Sequence, residues 1–462
     1  MRRFLGLVPT VVCVLGLLCV GRASIQAQVG AAARRPNIVV IVADDMGYAD
    51  LGIHGSRDIP TPNIDSLARG GIRFTSGYVS GPYCSPTRAG LMTGRYPQRF
   101  GHEFNPPQRQ FGLPIDQVTM ADRLKAAGYR TALFGKWHLG FSEQQHPMAR
   151  GFDEFFGFLG GDHDYLDPMS AGANAILDGK EKVAQVEYLT DAFADRAVSF
   201  IHRQAQTPFF LYLAFNAVHT PMQATEKYLA RFDHIADPQR RAYAAMLSAM
   251  DDAIGRTIAA LRAQKVEEHT LIFFFSDNGG PTMATTTVNG SSNAPLRGSK
   301  RQTWEGGIRV PFIIRWKGHL AEGRVDDRPV IQLDVLPTAL AAAGVTAPRE
   351  QLDGVNLFPY LTDSLAASPH QALYWRLGGM MAVRKGNWKL VKTRDGPLVD
   401  VDPERLSDLS TAELYNLADD LGETRNLAST HPEVAKELAD LWQRWNGQLA
   451  SPLWPPRARP PR

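Results

Sequence analysis

The sequence predicts an α/β protein with a large, mostly parallel central sheet flanked by helices, followed by a smaller C-terminal subdomain of antiparallel sheet plus a terminal helix. Two observations lead to this class. Short apolar runs alternate with amphipathic helical stretches until about residue 365, and strands joined by helices form parallel sheets that are covered on both faces. Beyond that residue, short strands follow one another closely, which predicts an antiparallel sheet.

The composition is that of a large globular protein. Of 462 residues, 44% are hydrophobic, which is enough to build a sizeable core. Lysine and arginine together number 50 against 47 acidic residues. This near balance lacks the basic excess that binding to a phosphate backbone requires, so we expect no nucleic-acid partner.

The N-terminal segment has the layout of a secretory signal peptide. Arg2 and Arg3 precede an apolar stretch from Phe4 to Val20, and small residues follow it. A retained membrane anchor is the alternative, but glycines and a proline interrupt the apolar stretch and favour cleavage. We therefore predict a signal peptide over 1–27 and an exported protein, either periplasmic or secreted.

The elements of the main domain, 34–365, follow in order along the chain. Buried strands are predicted where apolar residues run together: Asn37 to Ala43, Arg130 to Phe134, Pro208 to Phe215, Thr270 to Phe275 and Val310 to Trp316. Helices are predicted between them from apolar periodicity and from residues suited to helix ends: Ile64 to Ala68, Met120 to Ala127, Asp191 to Arg203 and Gln239 to Ala263.

The small subdomain is predicted over 366–450. Its short strands are Ala372 to Trp375, Met380 to Arg384 and Trp388 to Val391, and its terminal helix is Pro432 to Gln448. The proline-rich residues 451–462 predict a flexible tail.

Acidic and amide side chains follow two of the predicted strands. Asp44 and Asp45 come directly after the first strand, and Asp277 and Asn278 follow the strand that begins at Thr270. In open α/β sheets, sites form beyond the carboxyl ends of the strands, and these hard oxygen ligands suit Ca²⁺ or Mg²⁺. The alternative is that each aspartate caps a helix or makes a turn. Four oxygen ligands without a cysteine or histidine companion argue against zinc.

Cysteine is scarce, and its distribution is informative. Cys13 and Cys19 lie within the predicted signal peptide, so Cys84 is the one cysteine of the mature chain. An exported protein with a single cysteine cannot form an intrachain disulfide. Cys84 is therefore either a buried structural thiol or a residue committed to chemistry.

The residues around Cys84 resemble a family signature. Cys84, Pro86 and Arg88, followed by the helical segment 91–95, match the Cys-x-Pro-x-Arg pattern of the type I, formylglycine-dependent sulfatases, the arylsulfatase family of the alkaline phosphatase-like superfamily. Other segments resemble this family's motifs: 44–48 and 276–280 for the metal, 135–140 for a lysine and a histidine, 217–221 for a second histidine, 296–309 for a late lysine, and 382–390 and 413–417 for the small subdomain.

The resemblance implies a sulfuric ester hydrolase that cleaves sulfate monoesters. A maturation enzyme of this family oxidises the signature cysteine, here Cys84, to formylglycine (3-oxoalanine). One hydroxyl of the aldehyde hydrate attacks sulfur to form a covalent enzyme sulfate while the alcohol leaves, and the second, once deprotonated, expels sulfate and regenerates the aldehyde. The implied cofactor is Ca²⁺, with Mg²⁺ as the alternative, and its implied ligands are Asp44, Asp45, Asp277, Asn278 and the residue at Cys84.

Five further residues receive catalytic roles from the resemblance. Arg88, Lys136 and Lys300 mask the negative charge of the sulfate together with the cation. His138 deprotonates a hydroxyl of formylglycine 84, because a histidine suits proton transfer near neutral pH. His219 together with Lys300 binds sulfate and protonates the leaving group.

The substrate is less constrained by the sequence. Export favours a sulfated saccharide, with an aryl sulfate as the other possibility. Asp162 and His163 are predicted substrate contacts, because their segment borders the sulfate pocket in the resembled family. Trp375 and Arg376 are predicted to stack on and charge-pair with a sulfated sugar, the alternative being a core tryptophan and a surface cation.

Two other functions stay open at this point. The first is a formylglycine-dependent phosphate or phosphonate ester hydrolase, because related folds use similar metal ligands on phosphorus. The segments around Lys136, His219 and Lys300 favour sulfate instead. The second is a noncatalytic carbohydrate-binding protein, against which the intact Cys84, Arg88 and metal-ligand set argue.

Overall fold

A computed structural model describes residues 1, 35–170, 172–284, 286–346, 352–362, 367–393 and 408–455. The predicted signal peptide, apart from Met1, and the end of the predicted tail lie outside these residues. Within the described part of the chain, no helix combines the length and the apolar character needed to cross a membrane.

The strands, in chain order, are β1 (Asn37–Ala43), β2 (Ile72–Phe74), β3 (Gly77–Tyr78), β4 (Arg130–Lys136), β5 (Glu154–Phe158), β6 (Leu177–Asp178), β7 (Glu181–Lys182), β8 (Phe209–Ala214), β9 (Thr270–Ser276), β10 (Phe312–Arg315), β11 (Arg324–Asp326), β12 (Val330–Ile331), β13 (Leu373–Leu377), β14 (Met380–Lys385), β15 (Trp388–Lys392) and β16 (Glu413–Asn416). The helices are α1 (Pro62–Arg69), α2 (Cys84–Thr93), α3 (Met120–Ala126), α4 (Leu189–Gln204), α5 (Glu226–Leu229), α6 (Pro238–Ala263), α7 (Glu305–Ile308), α8 (Val335–Ala342), α9 (Phe358–Thr362) and α10 (Pro432–Asn446).

The central sheet has ten strands in the order β11-β2-β10-β9-β1-β8-β4-β5-β6-β7. The five central strands, β9 to β5 in this order, are parallel to one another, and antiparallel strands flank them on both sides. Every residue of β1 is buried, as expected for an apolar strand covered on both faces. The predicted fold class is confirmed.

Helices cover both faces of this sheet because successive side chains of its strands point in opposite directions. Val39 and Ile41 of β1 belong to a core that includes residues of α1, α4 and α6. Ile38, Val40 and Val42 belong to a second core, with residues of α2, α3 and α8. The two covered faces leave the carboxyl ends of the strands as the accessible edge.

The small antiparallel sheet has the order β13-β14-β15-β16. Trp442 of α10 packs in a third core with residues of this sheet, and its indole N–H donates to Trp375 O at 3.0 Å. The predicted flexible tail is wrong at its beginning, since Trp454 is buried and donates to Phe104 O at 3.0 Å. The boundary predicted near residue 365 stays a prediction.

A buried charge cluster joins the small sheet to the end of the late lysine segment. Lys389 of β15 lies 2.9 Å from Glu305, the first residue of α7, and 2.8 Å from Glu423. Tyr78 and Arg309 also donate to Glu305. We call these residues the Lys389 cluster, and they hold α7 against β15.

Candidate active site

The carboxyl ends of β1 and β9 bring the predicted metal ligands together. The two strands are parallel, with Ala43 opposite Ser276, so the residues that follow them emerge at the same level. The Asp277 N–H donates to Ala43 O at 3.0 Å, which extends the pairing into the site. The Asp44 N–H donates instead to Ala217 O at 2.9 Å, and Ala217 begins the second histidine segment, 217–221.

The strand ends and the first residue of α2 bring a compact set of ligand atoms together. Asp44, Asp45, Asp277 and Cys84 each offer one ligand atom, and these atoms lie within 4.8 Å of one another. Asn278 Nδ2 donates to Asp45 Oδ1 at 2.7 Å, while Asn278 Oδ1 is buried without a hydrogen-bond partner. An unsatisfied buried oxygen beside three carboxylates fits a hard divalent cation, which prefers such ligands.

Two fully buried cations lie beside these acids. Arg88 of α2 donates twice to Asp277 Oδ2, at 3.0 and 2.9 Å, and once to the Lys136 carbonyl at 3.1 Å. Lys136, the last residue of β4, lies 2.5 Å from Asp44 Oδ2. The forked guanidinium thus fixes one carboxylate, and the ammonium group fixes another.

The charges set opposite protonation tendencies in the two central acids. Burial alone would raise the pKa of Asp44, but Lys136, His219 and Arg88 outweigh it and hold that pKa well below its usual value. Burial and the neighbouring Asp44 charge raise the pKa of Asp277 to about 6, against the opposing effect of Arg88. Asp44 is therefore the more firmly ionised of the two.

Lys300 and His219 lie on the other side of Asp45. Lys300 Nζ is 2.7 Å from the Asp45 carboxylate, and His219 Nε2 is 3.6 Å from Asp45 Oδ2. Burial lowers the pKa of His219, although Asp45 opposes this effect. Burial would also lower the pKa of Lys300, but Asp45 outweighs it and raises that pKa well above its usual value. Lys300 is therefore the fixed positive charge of the pair, and His219 is the stronger acid of the two.

Cys84 is the first residue of α2 and is 1% exposed. Its Sγ lies 3.8 Å from Asp44 Oδ1, and the helix N-terminus adds partial positive charge at this position. Burial raises the pKa of the thiol to about 12 despite the nearby Lys136 and Lys300. Because the thiolate is the reactive form of cysteine, the unmodified thiol is a poor nucleophile here.

His138 is tied to the residue that follows Cys84. Ser85 Oγ donates to the His138 carbonyl at 2.7 Å and lies 2.6 Å from His102 Nε2. Since the serine hydroxyl has one proton, His102 Nε2 is the donor in the second contact. Burial, with Lys136 and Arg88, lowers the pKa of His138 well below its usual value. His138 is therefore neutral and able to accept a proton.

The backbone is strained at this site. Asp45, His138 and Arg301 have φ values of 61°, 60° and 74°, three of the five non-glycine residues with positive φ in the described part of the chain. Such conformations persist where surrounding contacts enforce them and often occur at functional sites. They fix the direction in which these side chains leave the backbone.

A cavity of about 790 Å³ opens above Cys84, within the size range of ligand sites. His138, His219 and Lys300 line it, as do the predicted substrate contacts Asp162 and His163. His163 Nδ1 lies 2.7 Å from Asp164 O, and its Nε2 is buried without a partner. The structure therefore brings both predicted contacts into the cavity.

Two other predicted substrate contacts are corrected by the structure. Trp375 is fully buried, packs on Tyr78, and its indole N–H donates to Val79 O at 2.6 Å. Arg376 is also buried and pairs with Glu103 through two bonds of 2.9 and 2.7 Å. Both residues therefore hold the small sheet against the main domain, and neither lines the cavity.

Several cavity residues were missed in the sequence. They include Tyr83, Arg109 and Arg301 and the segment 105–108. Arg301 directly follows Lys300, and Tyr83 directly precedes Cys84, so proximity to the two motifs was an available signal. The segment 105–108 carried no such signal, because its place at the cavity depends on long-range contacts such as the bond from the Ser85 N–H to Asn105.

This chain is similar to known proteins along most of its length. Residues 36–345 match the family described as Sulfatase, and residues 298–448 match the family described as N-sulphoglucosamine sulphohydrolase, C-terminal. The chain is 35% identical to the N-acetylgalactosamine-6-sulfatase of Sus scrofa over 379 residues, which cover 77% of this chain and 71% of that protein. It is also 35% identical to arylsulfatase A of Homo sapiens over 455 residues, covering 89% and 88%.

A solved structure extends this likeness to three dimensions. The crystal structure of Ps i-CgsB in complex with k-i-k-neocarrahexaose superposes with a TM-score of 0.83 at 36% identity, covering 91% of this chain and 95% of that chain. A match over more than half the chain, together with relatives of this identity and coverage, settles the assignment. The chain belongs to the sulfatase family and is an enzyme that hydrolyses sulfate esters.

Proposed function

We propose that this enzyme removes sulfate from a sulfated saccharide by using a formylglycine formed from Cys84 and a divalent cation, Ca²⁺ rather than Mg²⁺. The observation that carries the proposal is the meeting of Cys84, three carboxylates and the side chains of Arg88, Lys136 and Lys300 at the base of a cavity large enough for a sugar. The relatives support a saccharide, since one is named for N-acetylgalactosamine and Ps i-CgsB was crystallised with k-i-k-neocarrahexaose.

The raised pKa of Cys84 supports its conversion to formylglycine. A buried thiol with a pKa of about 12 supplies almost no thiolate at neutral pH. Formylglycine would supply, as its hydrate, one hydroxyl as a nucleophile for sulfur and a second hydroxyl whose deprotonation releases sulfate. A formylglycine-generating maturation enzyme is the partner that this proposal requires.

The oxygen donors support a cation next to residue 84. Asp44, Asp45, Asp277 and Asn278, with residue 84, would hold it, and the unpartnered Asn278 Oδ1 is a ready ligand. The cation would supply positive charge that offsets the negative charge of the sulfate oxygens. Ca²⁺ accepts six to eight oxygen ligands in flexible geometry, which suits a set drawn from three separate segments.

The roles of the chain's own residues follow from where they lie. Lys300 and His219 line the cavity, so we assign them to binding the sulfate and to protonating the leaving oxygen. Neutral His138 accepts a proton from a hydroxyl at residue 84. Arg88 and Lys136 lie beneath the cavity and hold the carboxylates in place. Asp162 and His163 contact the sugar, His163 through its unpartnered Nε2.

Mass spectrometry of residue 84 tests the proposed nucleophile. Protein made in its own host should yield a peptide in which the sulfur of Cys84 is replaced by an aldehyde oxygen. The Cys84→Ala variant should keep the fold, judged by near-UV circular dichroism, and lose turnover. An unmodified thiol in active enzyme, or normal activity in Cys84→Ala, would contradict the proposal.

Two substrate comparisons test the rest of the proposal. A sulfate ester and a phosphate ester of 4-nitrophenol share one leaving group, and we expect faster turnover of the sulfate. A preference for the phosphate would favour the phosphate or phosphonate hydrolase alternative. A panel of sulfated saccharides should include a better substrate than 4-nitrophenyl sulfate; sulfate release from the aryl ester alone would contradict the saccharide assignment.

Export is also part of the proposal. Positive charge, an apolar stretch and small residues over 1–27 are typical of a signal peptide. The mature protein should begin near residue 28 or near residue 34, which N-terminal sequencing of protein recovered outside the cytoplasm would show. Protein that still carries residues 1–27 after export would contradict cleavage.

A further inference from the structure

The cavity contains a guanidinium group that the sulfate chemistry does not use. Arg301 lines the cavity, and no carboxylate of the described residues lies within salt-bridge distance of it. We propose that Arg301 binds a second anionic group of the substrate, a sulfate or a carboxylate on the same saccharide as the sulfate that is removed. This inference rests on the proposed function, since it concerns the saccharide in that cavity.

Arg301 and Lys300 lie near the same aromatic side chain. Arg301 Nη2 donates to the Tyr83 hydroxyl at 2.8 Å, and its guanidinium carbon lies 5.1 Å from the centre of the Tyr83 ring. Lys300 Nζ lies 5.7 Å from the centre of the same ring. Both cations therefore lie near one aromatic ring, close enough together for substituents of one sugar or of two adjacent sugars to reach both.

The charge balance of the site separates Arg301 from the catalytic cations. Arg88, Lys136 and Lys300 each pair with an aspartate of the proposed cation site. Asp162 and Asp164 also line the cavity, but among the described residues neither lies within salt-bridge distance of Arg301, and Asp164 already accepts from Gln223 and from two backbone N–H groups. No carboxylate of the described residues therefore pairs with Arg301, and reduced solvation in the cavity strengthens its attraction to an anion.

The backbone holds Arg301 in this position. Its φ of 74° lies in the region that glycine adopts easily and other residues avoid. The Arg301 N–H donates to Pro82 O at 2.7 Å, which anchors it beside the residue that precedes Tyr83. The chain thus carries a large charged side chain where the backbone favours glycine, and its contact with Tyr83 aims that side chain along the cavity.

Arg109 is the second candidate for the same role. It also lines the cavity, is exposed, and lies 5.2 Å from the Phe141 ring centre. No hydrogen bond fixes its guanidinium among the described residues, whereas Arg301 is held by Tyr83. A preorganised guanidinium loses less freedom on binding an anion, so we assign the contact to Arg301.

The test measures binding by calorimetry, with Ca²⁺ present, in a Cys84→Ala background in which nothing is hydrolysed. The ligands are N-acetylgalactosamine 6-sulfate, N-acetylgalactosamine 4,6-disulfate, and the disaccharide of glucuronate with N-acetylgalactosamine 6-sulfate. The second ligand adds a sulfate and the third adds a carboxylate. Comparing each with the first ligand therefore shows which of the two anionic groups Arg301 binds. At least one of them should bind about tenfold more tightly than the first.

Variants at positions 301 and 109 show which arginine causes the difference in affinity. Arg301→Gly suits the local backbone and should remove the tenfold preference, Arg301→Lys should restore part of it, and Arg109→Gln should retain it. A role for Arg301 in folding alone would weaken all three ligands equally and leave their ratio unchanged. Equal affinities for the three ligands, a ratio unaffected by Arg301→Gly, or a ratio lost only in Arg109→Gln would overturn the inference.

A failure of this inference can be told apart from a failure of the proposed function. Failure of sulfate release by the matured enzyme, measured with 4-nitrophenyl sulfate and the saccharide panel, bears on the reaction. The ratio of affinities in the Cys84→Ala background bears on Arg301, whatever the turnover.

Discussion

Replacing Glu423 by glutamine should remove a pH dependence of stability that originates in the Lys389 cluster. Burial and the nearby Glu305 charge raise the pKa of Glu423 to about 7, although Lys389 opposes them. In the same cluster, Lys389 and Arg309 outweigh burial and lower the pKa of Glu305 to about 2. One lysine thus serves two carboxylates, and Glu423 is the one that retains its proton near neutral pH.

The sign and size of the effect follow from the difference between the folded and unfolded states. Between the pKa of an unfolded glutamate, near 4.5, and about 7, the folded protein holds one proton more than the unfolded chain. The contribution of Glu423 to the free energy of unfolding is therefore fully present below pH 4.5 and falls as the pH rises. Its slope is about 1.4 kcal/mol per pH unit, or roughly 2 kcal/mol between pH 5 and 7 because both titrations are gradual.

Urea unfolding followed by tryptophan fluorescence at several pH values measures this effect. Other acids titrate in the same range, so the quantity to compare is the difference between wild type and Glu423→Gln. The matched control is Glu433→Gln, which changes an exposed glutamate at the start of α10 and should follow the wild type. A Glu423→Gln curve parallel to wild type from pH 5 to 7 would refute the assignment of the proton to Glu423.

Three further predictions concern the site and the small sheet. Removing divalent cations with EDTA should abolish sulfate release and lower Tm by about 3 °C, if the site is filled at a hundredfold excess over its dissociation constant; scanning fluorimetry and activity after adding back Ca²⁺ or Mg²⁺ check both. Arg88→Lys should lower kcat/KM for 4-nitrophenyl sulfate about tenfold or more, because an ammonium group cannot reproduce the two bonds to Asp277 and the bond to the Lys136 carbonyl. Trp375→Ala should destabilise the fold by about 3–5 kcal/mol without changing KM, measured by urea unfolding and by kinetics on the folded protein; a raised KM would return Trp375 to the substrate site.

Apolar runs predicted the central strands well because these strands are buried on both faces. β1 has the predicted bounds, and β9 extends one residue past its predicted end. β4 continues to Lys136, two residues past the predicted end at Phe134. The pattern stopped early because Gly135 and Lys136 are not apolar. Position 135 requires glycine because β8 lies so close that a Cβ there would be 1.8 Å from Ala214 O.

The aspartates could be grouped from the sequence because they follow strands that meet at one edge of the sheet. The signature cysteine and the two histidines could be added because they match family motifs. Trp375 and Arg376 were misassigned for a physical reason. Aromatic and basic residues are suited both to sugars and to buried interfaces, and the sequence does not reveal which surface will cover a strand. Here the main domain covers β13, and Glu103 neutralises Arg376 from a distant segment.

The fully buried charges of the site also bear on how the site can change by mutation. Asp44, Asp277, Arg88 and Lys136 have no exposed surface, and apolar replacements of such buried pairs are often neutral or stabilising by about 1–4 kcal/mol. A single substitution, however, leaves an uncompensated buried charge and costs about 3–5 kcal/mol. These four residues could therefore be replaced by apolar ones only together, so the charges that build the site also make it resistant to stepwise change.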